Sequence, residues 1–424
     1  MNRCETNIFR KLKDYKVLII AIIFLVTFFL MLFNFYSNKL GIIAEHDWFS
    51  GWQMDSESII LGKINNSRMN GIFDNYGLLG IYIQQIGLQG IGFSILDAIT
   101  GTATIRVGIM YAINSGILTC IIFTVLYWIY KEFGIMSATV GYITTMYSNW
   151  IIVSARNLYW VTWTFLLPFL CILLLLYLED KKKVYKTKWM CIAAFVTIFL
   201  RSACGYEFIP SIMIVTELPL IYYAIKNRWK FINYVRRAAL IGLSAIAAFL
   251  FALIINLVQI TAYLQSFPDA IEYMKMVIHK RTGFFNMVAE SIIQESLDAS
   301  LSSVILKYFI EGKEIIWGLR MVHIILIVII FIALSFLSKK YSPTIAKNRN
   351  KLVALSATVG VSFFAPIFWF ILAKGHAYHH LHINYMLWSL PFTILAFSLG
   401  GANVFYLLYD IWSGLIKKIK AFNY

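Results

Sequence analysis

Apolar residues dominate this chain in runs of spanning length. They lie near 17–36, 107–130, 134–150, 161–178, 189–205, 208–225, 238–263, 320–337, 352–373 and 385–410. About 20 helical residues at 1.5 Å each cross the ~30 Å hydrocarbon layer of a bilayer. The pattern therefore predicts an all-α polytopic membrane protein with about 10 transmembrane helices, in the range of roughly 9–12. The first run, VLIIAIIFLVTFFLMLFNFY, follows basic residues as a signal peptide would. It has no small-residue cleavage site, so it reads as a retained first span.

The polar segments between the runs fall into two kinds. Basic ones are the N-terminus (Arg3, Arg10, Lys11, Lys13, Lys16), DKKKVYKTK at 180–188, KNRWKFINYVRR at 226–237, SKKYSPTIAKNRNK at 338–351 and KKIK at 417–420. Short loops rich in Lys and Arg stay in the cytoplasm. With ten spans all these segments share one face with the turn Lys131-Glu132, which predicts both termini in the cytoplasm. The remaining segments are then outside. Residues 37–106 form a long acidic loop with Glu45, Asp47, Asp55, Glu57, Asp74 and Asp97, and 264–319 form a second long outer segment. SARNLYW at 154–160, RSACGYEF at 201–208 and KGHAYHHLHINY at 374–385 are the short outer turns. In the first loop, MDSESIILGKI predicts a short surface helix beginning at Asp55-Ser56, with Ile59, Ile60 and Ile64 at helical spacing. YIQQIGLQGIGFSILDAIT reads as an interfacial or re-entrant segment, or an additional span. No internal repeat or linker divides the chain, so residues 1–424 form a single integral-membrane domain.

Composition agrees. Of 424 residues 60% are hydrophobic and 14% charged, with a mean hydropathy of +0.73. Soluble domains sit nearer ~45–50% and ~25%. The net charge of +16 belongs to the basic loops and is no sign of a nucleic-acid partner. The five cysteines are scattered without a CxxC, so neither a disulfide framework nor a zinc site is indicated.

Ionisable groups at the outer ends of spans are costly unless they face a cavity or one another. Those of this chain are Asp47, Asp55, Glu57, Arg156 with Asn157, Arg201, Glu207, Lys275, His279, Lys280, Arg281, Lys374 and the histidines. If the loops converge, acids of the first loop meet cations of the later ones. A carboxylate can deprotonate an incoming hydroxyl, while cations and N–H donors hold a phosphate that leaves. Arginine grips phosphate with two donors and lysine as a point charge. An apolar groove beside such a site would hold an isoprenoid chain.

The first span, the long outer loop with an acid on a surface helix, HDWFSGWQMDSES, and the many later spans resemble the C-type fold of integral-membrane glycosyltransferases. The resemblance covers the layout of most of the chain. It implies transfer of a sugar from a polyprenyl-phosphate-linked donor to a glycan or lipid-glycan acceptor. The site would lie on the outer face of a bacterial-type inner (plasma) membrane, with membrane lipids as further partners. It implies a catalytic acid in the first loop, at Asp55, Glu57 or Asp47. Protein O-mannosyltransferases of this class carry adjacent Asp-Glu there, whereas here Ser56 separates Asp55 from Glu57. Arg156, Arg201, Glu207, Lys280, Arg281, Lys374, His376 and His380 are the candidates for binding phosphate and substrate. An O-antigen-type polysaccharide polymerase shares this layout. A lipid-glycan transporter or flippase would show paired halves, and a membrane acyltransferase would use a histidine base.

Four of the seven histidines crowd into KGHAYHHLHINY: His376, His379, His380 and His382. A structural zinc takes four ligands in tight geometry, and HxxHHxH is too loose a signal for that. The preferred reading is phosphate contact or proton handling by His376 and His380 beside Lys374. No motif specifies a cofactor, and a divalent cation is compatible with the phosphate chemistry.

Overall fold

The structure is a computed structural model that describes residues 2–43, 46–73, 82–100, 103–284, 291–310, 312–337 and 342–422. It is almost entirely helical. The first part holds α1 (Asn2–Ser37), α2 (His46–Asn70), α3 (Leu88–Ile99), α4 (Ala103–Phe133), α5 (Ile135–Met146) and α6 (Asn149–Ala155). Next come α7 (Trp163–Lys182), α8 (Thr187–Cys204), α9 (Ile209–Lys226), α10 (Phe231–Leu264), α11 (Phe267–Thr282), α12 (Ser291–Asp298) and α13 (Leu301–Ile310). A small hairpin, β1 (Glu314–Ile316) with β2 (Leu319–Arg320), leads into α14 (Met321–Leu337) and α15 (Pro343–Lys347). The chain ends with α16 (Arg349–Leu372), α17 (Lys374–His379), α18 (Leu381–Asn384), α19 (Met386–Trp388), a π-helical turn at Ser389–Thr393 and α20 (Ile394–Phe422).

Among the described residues, seven helices are long and apolar enough to cross a membrane. Ala21–Ser37 and Met321–Leu337 fill two further predicted runs as shorter apolar helices. The bundle has its apolar bulk outside. In α10, Ile241, Ala245, Ala248 and Ala252 are buried, while Leu243, Leu250 and Ile254 are exposed. Small residues inward let α8 approach closely, and large ones outward suit lipid contact. This is the build of an all-α polytopic membrane protein.

Among the described residues the ion pairs lie at the two ends of the bundle; Glu217, midway along α9, is buried without one. At one end the predicted basic segments meet three acidic residues. Glu132 is bound by Lys226 at 2.9 Å, Lys351 at 3.2 Å and the Tyr222 hydroxyl at 3.1 Å. Lys226 also reaches Asp180 at 3.2 Å. Arg237 grips Glu179 with two bonds of 2.8 and 2.7 Å and covers the Trp229 ring. Turns from four places in the chain are thereby tied together.

Three predicted boundaries need correction. α2 begins at His46, so Asp55 and Ser56 lie in its interior and do not cap it. Trp48 and Trp52, four residues apart, extend the helical pattern toward the N-terminus. The run 134–150 is broken at Tyr147 and Ser148, because Ser148 bridges to Ile316 of β1. α3 has only 12 residues, about 18 Å, which is too short to span. It packs instead on α2 through Ser67–Ser94 at 3.0 Å and Arg68–Asp97 at 2.7 Å.

Glu132 is the hub of the basic end. Replacing it with Ala strips a buried carboxylate from Lys226 and Lys351 and should cost about 3 kcal/mol. The unfolding midpoint in detergent reads this, and a loss under about 0.5 kcal/mol would show that the hub carries no stability.

Candidate functional site

The opposite end of the bundle holds the residues singled out for chemistry, and it is built from the back forwards. Glu57 of α2 is almost fully buried. Its carboxylate accepts the Leu158 N–H at 2.8 Å and the Tyr111 hydroxyl at 2.8 Å. Burial pushes this carboxyl up to about 7, although both hydrogen bonds and the nearby Arg156 act to lower it. Arg156 lies over the Tyr111 ring and donates to the Tyr36 carbonyl at 3.1 Å. These contacts pin α2 against the turn after α6. With Glu57 turned inward, Ser56 and Ile59 are the residues of α2 that line the cavity among those described.

The turn itself is held by Asn157. Its side-chain oxygen accepts the N–H groups of Tyr159 at 3.0 Å and Trp160 at 2.8 Å. Asn114 donates to its backbone carbonyl at 3.0 Å. This arrangement puts Tyr159 and Trp160 on the cavity wall, where the Tyr159 hydroxyl meets that of Tyr82 at 3.3 Å.

Arg201 closes α8 with 1% of its surface exposed. It donates to the carbonyls of Trp160 at 3.0 Å and Glu207 at 3.3 Å, and lies 4.3 Å over Phe165. The Glu207 carboxylate stands 3.9 Å away and uses its other oxygen to hold Arg281 at 3.0 Å. Gly205 leaves these side chains close to the backbone between them. A Cβ there would fall 2.7 Å from Glu207 Oε2 and 2.8 Å from Gln85 Oε1. Arg281 also bonds Gln84 at 3.3 Å.

The histidines arrive on α17. Gly375 lets this helix touch the end of α11, since a Cβ at that position would lie 2.8 Å from the Lys280 carbonyl oxygen. His376, His379 and His380 consequently line the same cavity as Lys280 and Arg281. The rings of His376 and His380 are 4.4 Å apart, and Trp369 and Phe208 meet His376 edge-on. The cavity holds about 400 Å³. Gln84 and Arg281 also line an adjoining apolar groove of about 450 Å³, formed by α9, α10, α11 and the end of α16.

Of the predicted residues, the cavity unites Glu207, Lys280, Arg281, His376 and His380. Glu57, Arg156 and Arg201 stand behind it as supports. Lys374 does not join them; it donates to the Leu297 carbonyl. The side chains of Asp47, Asp55 and His382 lie outside the described residues, although Asp47 and Asp55 fall within α2. Among the described residues no group of three His, Cys, Asp or Glu could hold a metal ion. His379, one of the four crowded histidines, joins the cavity residues, and Tyr82, Gln84, Tyr159, Trp160 and Ser56 line the wall without having been singled out for chemistry. SARNLYW and YIQQIG were the available signals, as stretches with aromatic and amide groups at span ends. No known protein family, curated protein or solved structure matches the chain.

Glu57 sets a pH dependence. Its native pKa lies above the ordinary 4.5, so the folded protein holds the proton more tightly than the unfolded one. Stability should then fall as pH rises from about 4.5 to about 7, by up to about 3 kcal/mol, and level off above. Glu57→Gln keeps the acceptor for the Leu158 N–H and removes the charge. Thermal unfolding across this pH range should show a flatter profile for the variant, and identical profiles would refute the assignment.

Proposed function

We propose that this chain is a membrane glycosyltransferase that moves a sugar from a polyprenyl-phosphate-type donor to a glycan or lipid-glycan acceptor. The observation that carries the reading is the junction at Arg281, where a polar cavity rich in cationic and imidazole groups opens onto an apolar groove. A substrate with an anionic head and a long apolar part fits that combination. Lys280, Arg281 and the imidazoles of His376 and His380 would hold the phosphate. Tyr82, Tyr159 and Trp160 offer ring faces to a sugar.

In the reaction the acceptor hydroxyl attacks the anomeric carbon as the bond to the phosphate oxygen breaks. The hydroxyl proton passes to a carboxylate, and the phosphate leaves with the electron pair, its charge met by Arg281 and Lys280. Both oxygens of Glu57 are engaged in holding α2, which favours a role in positioning. Asp55 is adjacent to Ser56 and one helical turn before Ile59, both of which line the cavity, and this favours it as the base over Asp47. The basic end would be cytoplasmic and the cavity outside, by the bias of Lys and Arg toward the cytoplasm.

Two measurements test this. In membranes supplied with polyprenyl-phosphate-linked sugar, Asp55→Asn should abolish transfer and Arg281→Ala should lower it ~100-fold or more. Full activity in Asp55→Asn, Glu57→Gln and Asp47→Asn alike would sink the mechanism. A single cysteine at position 382, in a chain cleared of its own cysteines, should react with an impermeant reagent from outside; labelling only from the cytoplasm would reverse the topology.

A further inference from the structure

Helix α3 has the reverse of the pattern that suits a helix in water. Its protein-facing side is mostly polar: Gln89, Ser94 and Asp97 are buried there beside Gly90 and Phe93. Each of the three is bonded to the protein. Gln89 donates to the carbonyls of Cys204 at 2.7 Å and Tyr159 at 3.3 Å. Ser94 accepts from Ser67 at 3.0 Å. Asp97 accepts two bonds from Arg68, at 2.8 and 2.7 Å, and meets Arg106 at 3.3 Å. The opposite side is wholly apolar. Leu88, Ile91, Gly92, Ile95, Ala98 and Ile99 recur at helical spacing and are exposed or half-exposed, Ile99 to 76%. A surface helix of a soluble domain turns its apolar stripe inward and its polar residues out. With 12 residues α3 cannot cross a bilayer, but it has the make-up of a helix that lies along one. Its place agrees, because it touches the end of α8 and leads into α4, both long and apolar enough to span. Two guanidiniums share the one Asp97 carboxylate, and both are partly exposed, which leaves a net positive charge at that end of α3.

We infer that α3 is seated in the lipid leaflet at the cavity end of the bundle and that this seat clamps the cavity wall. Its isoleucine face lies among acyl chains, and Arg68 and Arg106 lie at the level of the lipid phosphates. The clamp is Gln89. It grips the Tyr159 carbonyl, in the turn that carries the cavity-lining Tyr159 and Trp160, and the Cys204 carbonyl, just before the segment that carries Glu207. Under the proposed orientation this leaflet is the outer one. The seating itself depends neither on that orientation nor on the transferase reading.

The full-length chain, cleared of its own cysteines, is placed in nanodiscs of phosphatidylethanolamine and phosphatidylglycerol with one nitroxide label. Labels at Ile95→Cys and Ile99→Cys should collide with oxygen and be shielded from a water-soluble nickel chelate, at a depth of roughly 5–10 Å below the headgroup boundary. Leu243→Cys, on the exposed side of α10, serves as the deeper lipid reference, and Asp298→Cys, exposed on α12, as the water reference. Nickel access equal to that at 298 overturns the seating. So does shielding from both reagents, which would mean that protein covers the face. The clamp is read by hydrogen exchange in the same nanodiscs. Ile95→Glu with Ile99→Glu should speed exchange at residues 157–160 and 205–208 about tenfold and leave the middle of α10 unchanged. Gln89→Leu, which keeps the apolar face, should speed the same two segments. Unchanged exchange there in both variants, or faster exchange in α10 as well, overturns the clamp. None of these readings requires transfer activity, so a failure here is separable from a failure of the transferase reading.

Discussion

A charge in hydrocarbon must find a partner or leave, and that constraint shapes this molecule. Bare ionisable groups are too costly in the middle of a bilayer. The ion pairs therefore collect at the two ends of the bundle, and the helices between them are held by apolar packing and small-residue contacts. At the basic end the result is a lattice centred on Glu132, Asp180 and Glu179. At the other end it is a set of buried supports around a cavity. Both are products of the same cost.

The supports explain why the cavity has its shape. Glu57 and Arg156 secure α2 and the turn after α6; Arg201 secures that turn and the Glu207 segment together. Gly375 permits the contact that sets the histidines beside Lys280 and Arg281. Elements far apart in the chain therefore share one wall: Ser56 of α2, Tyr159 after α6, Glu207 before α9, Arg281 of α11 and His376 of α17. Under the proposed transfer chemistry this rigidity fixes the phosphate relative to α2, where the acids are.

Much of this was legible in the sequence because burial of charge is a one-dimensional signal. Basic and acidic positions at the ends of apolar runs foretold which turns meet, as Lys226, Lys351 and Glu132 do, and the histidine turn does face Arg281. Other features depend on contacts between distant segments and leave no local mark. The break at Ser148 comes from a strand more than 160 residues later. Lys374, a cation next to histidines, reads like a phosphate ligand, yet a carbonyl at the end of α12 captures it. Tyr82 and Trp160 are aromatic residues at span ends, where interface anchoring gives the same pattern as a cavity wall. For α2, an acidic cap and a buried acid in mid-helix look alike until the partner, the Leu158 N–H, is seen.

The pairing of Arg281 with Glu207 has a consequence for how any anion would be received. The guanidinium already has its counter-ion at 3.0 Å, and Arg201 stands by that carboxylate's other oxygen. Glu207 thus compensates Arg281 directly, while Lys280 lines the same cavity as a further cation. Under the proposed transfer chemistry an incoming phosphate would have to exchange places with the Glu207 carboxylate on Arg281, and Arg201 would keep that carboxylate from being stranded.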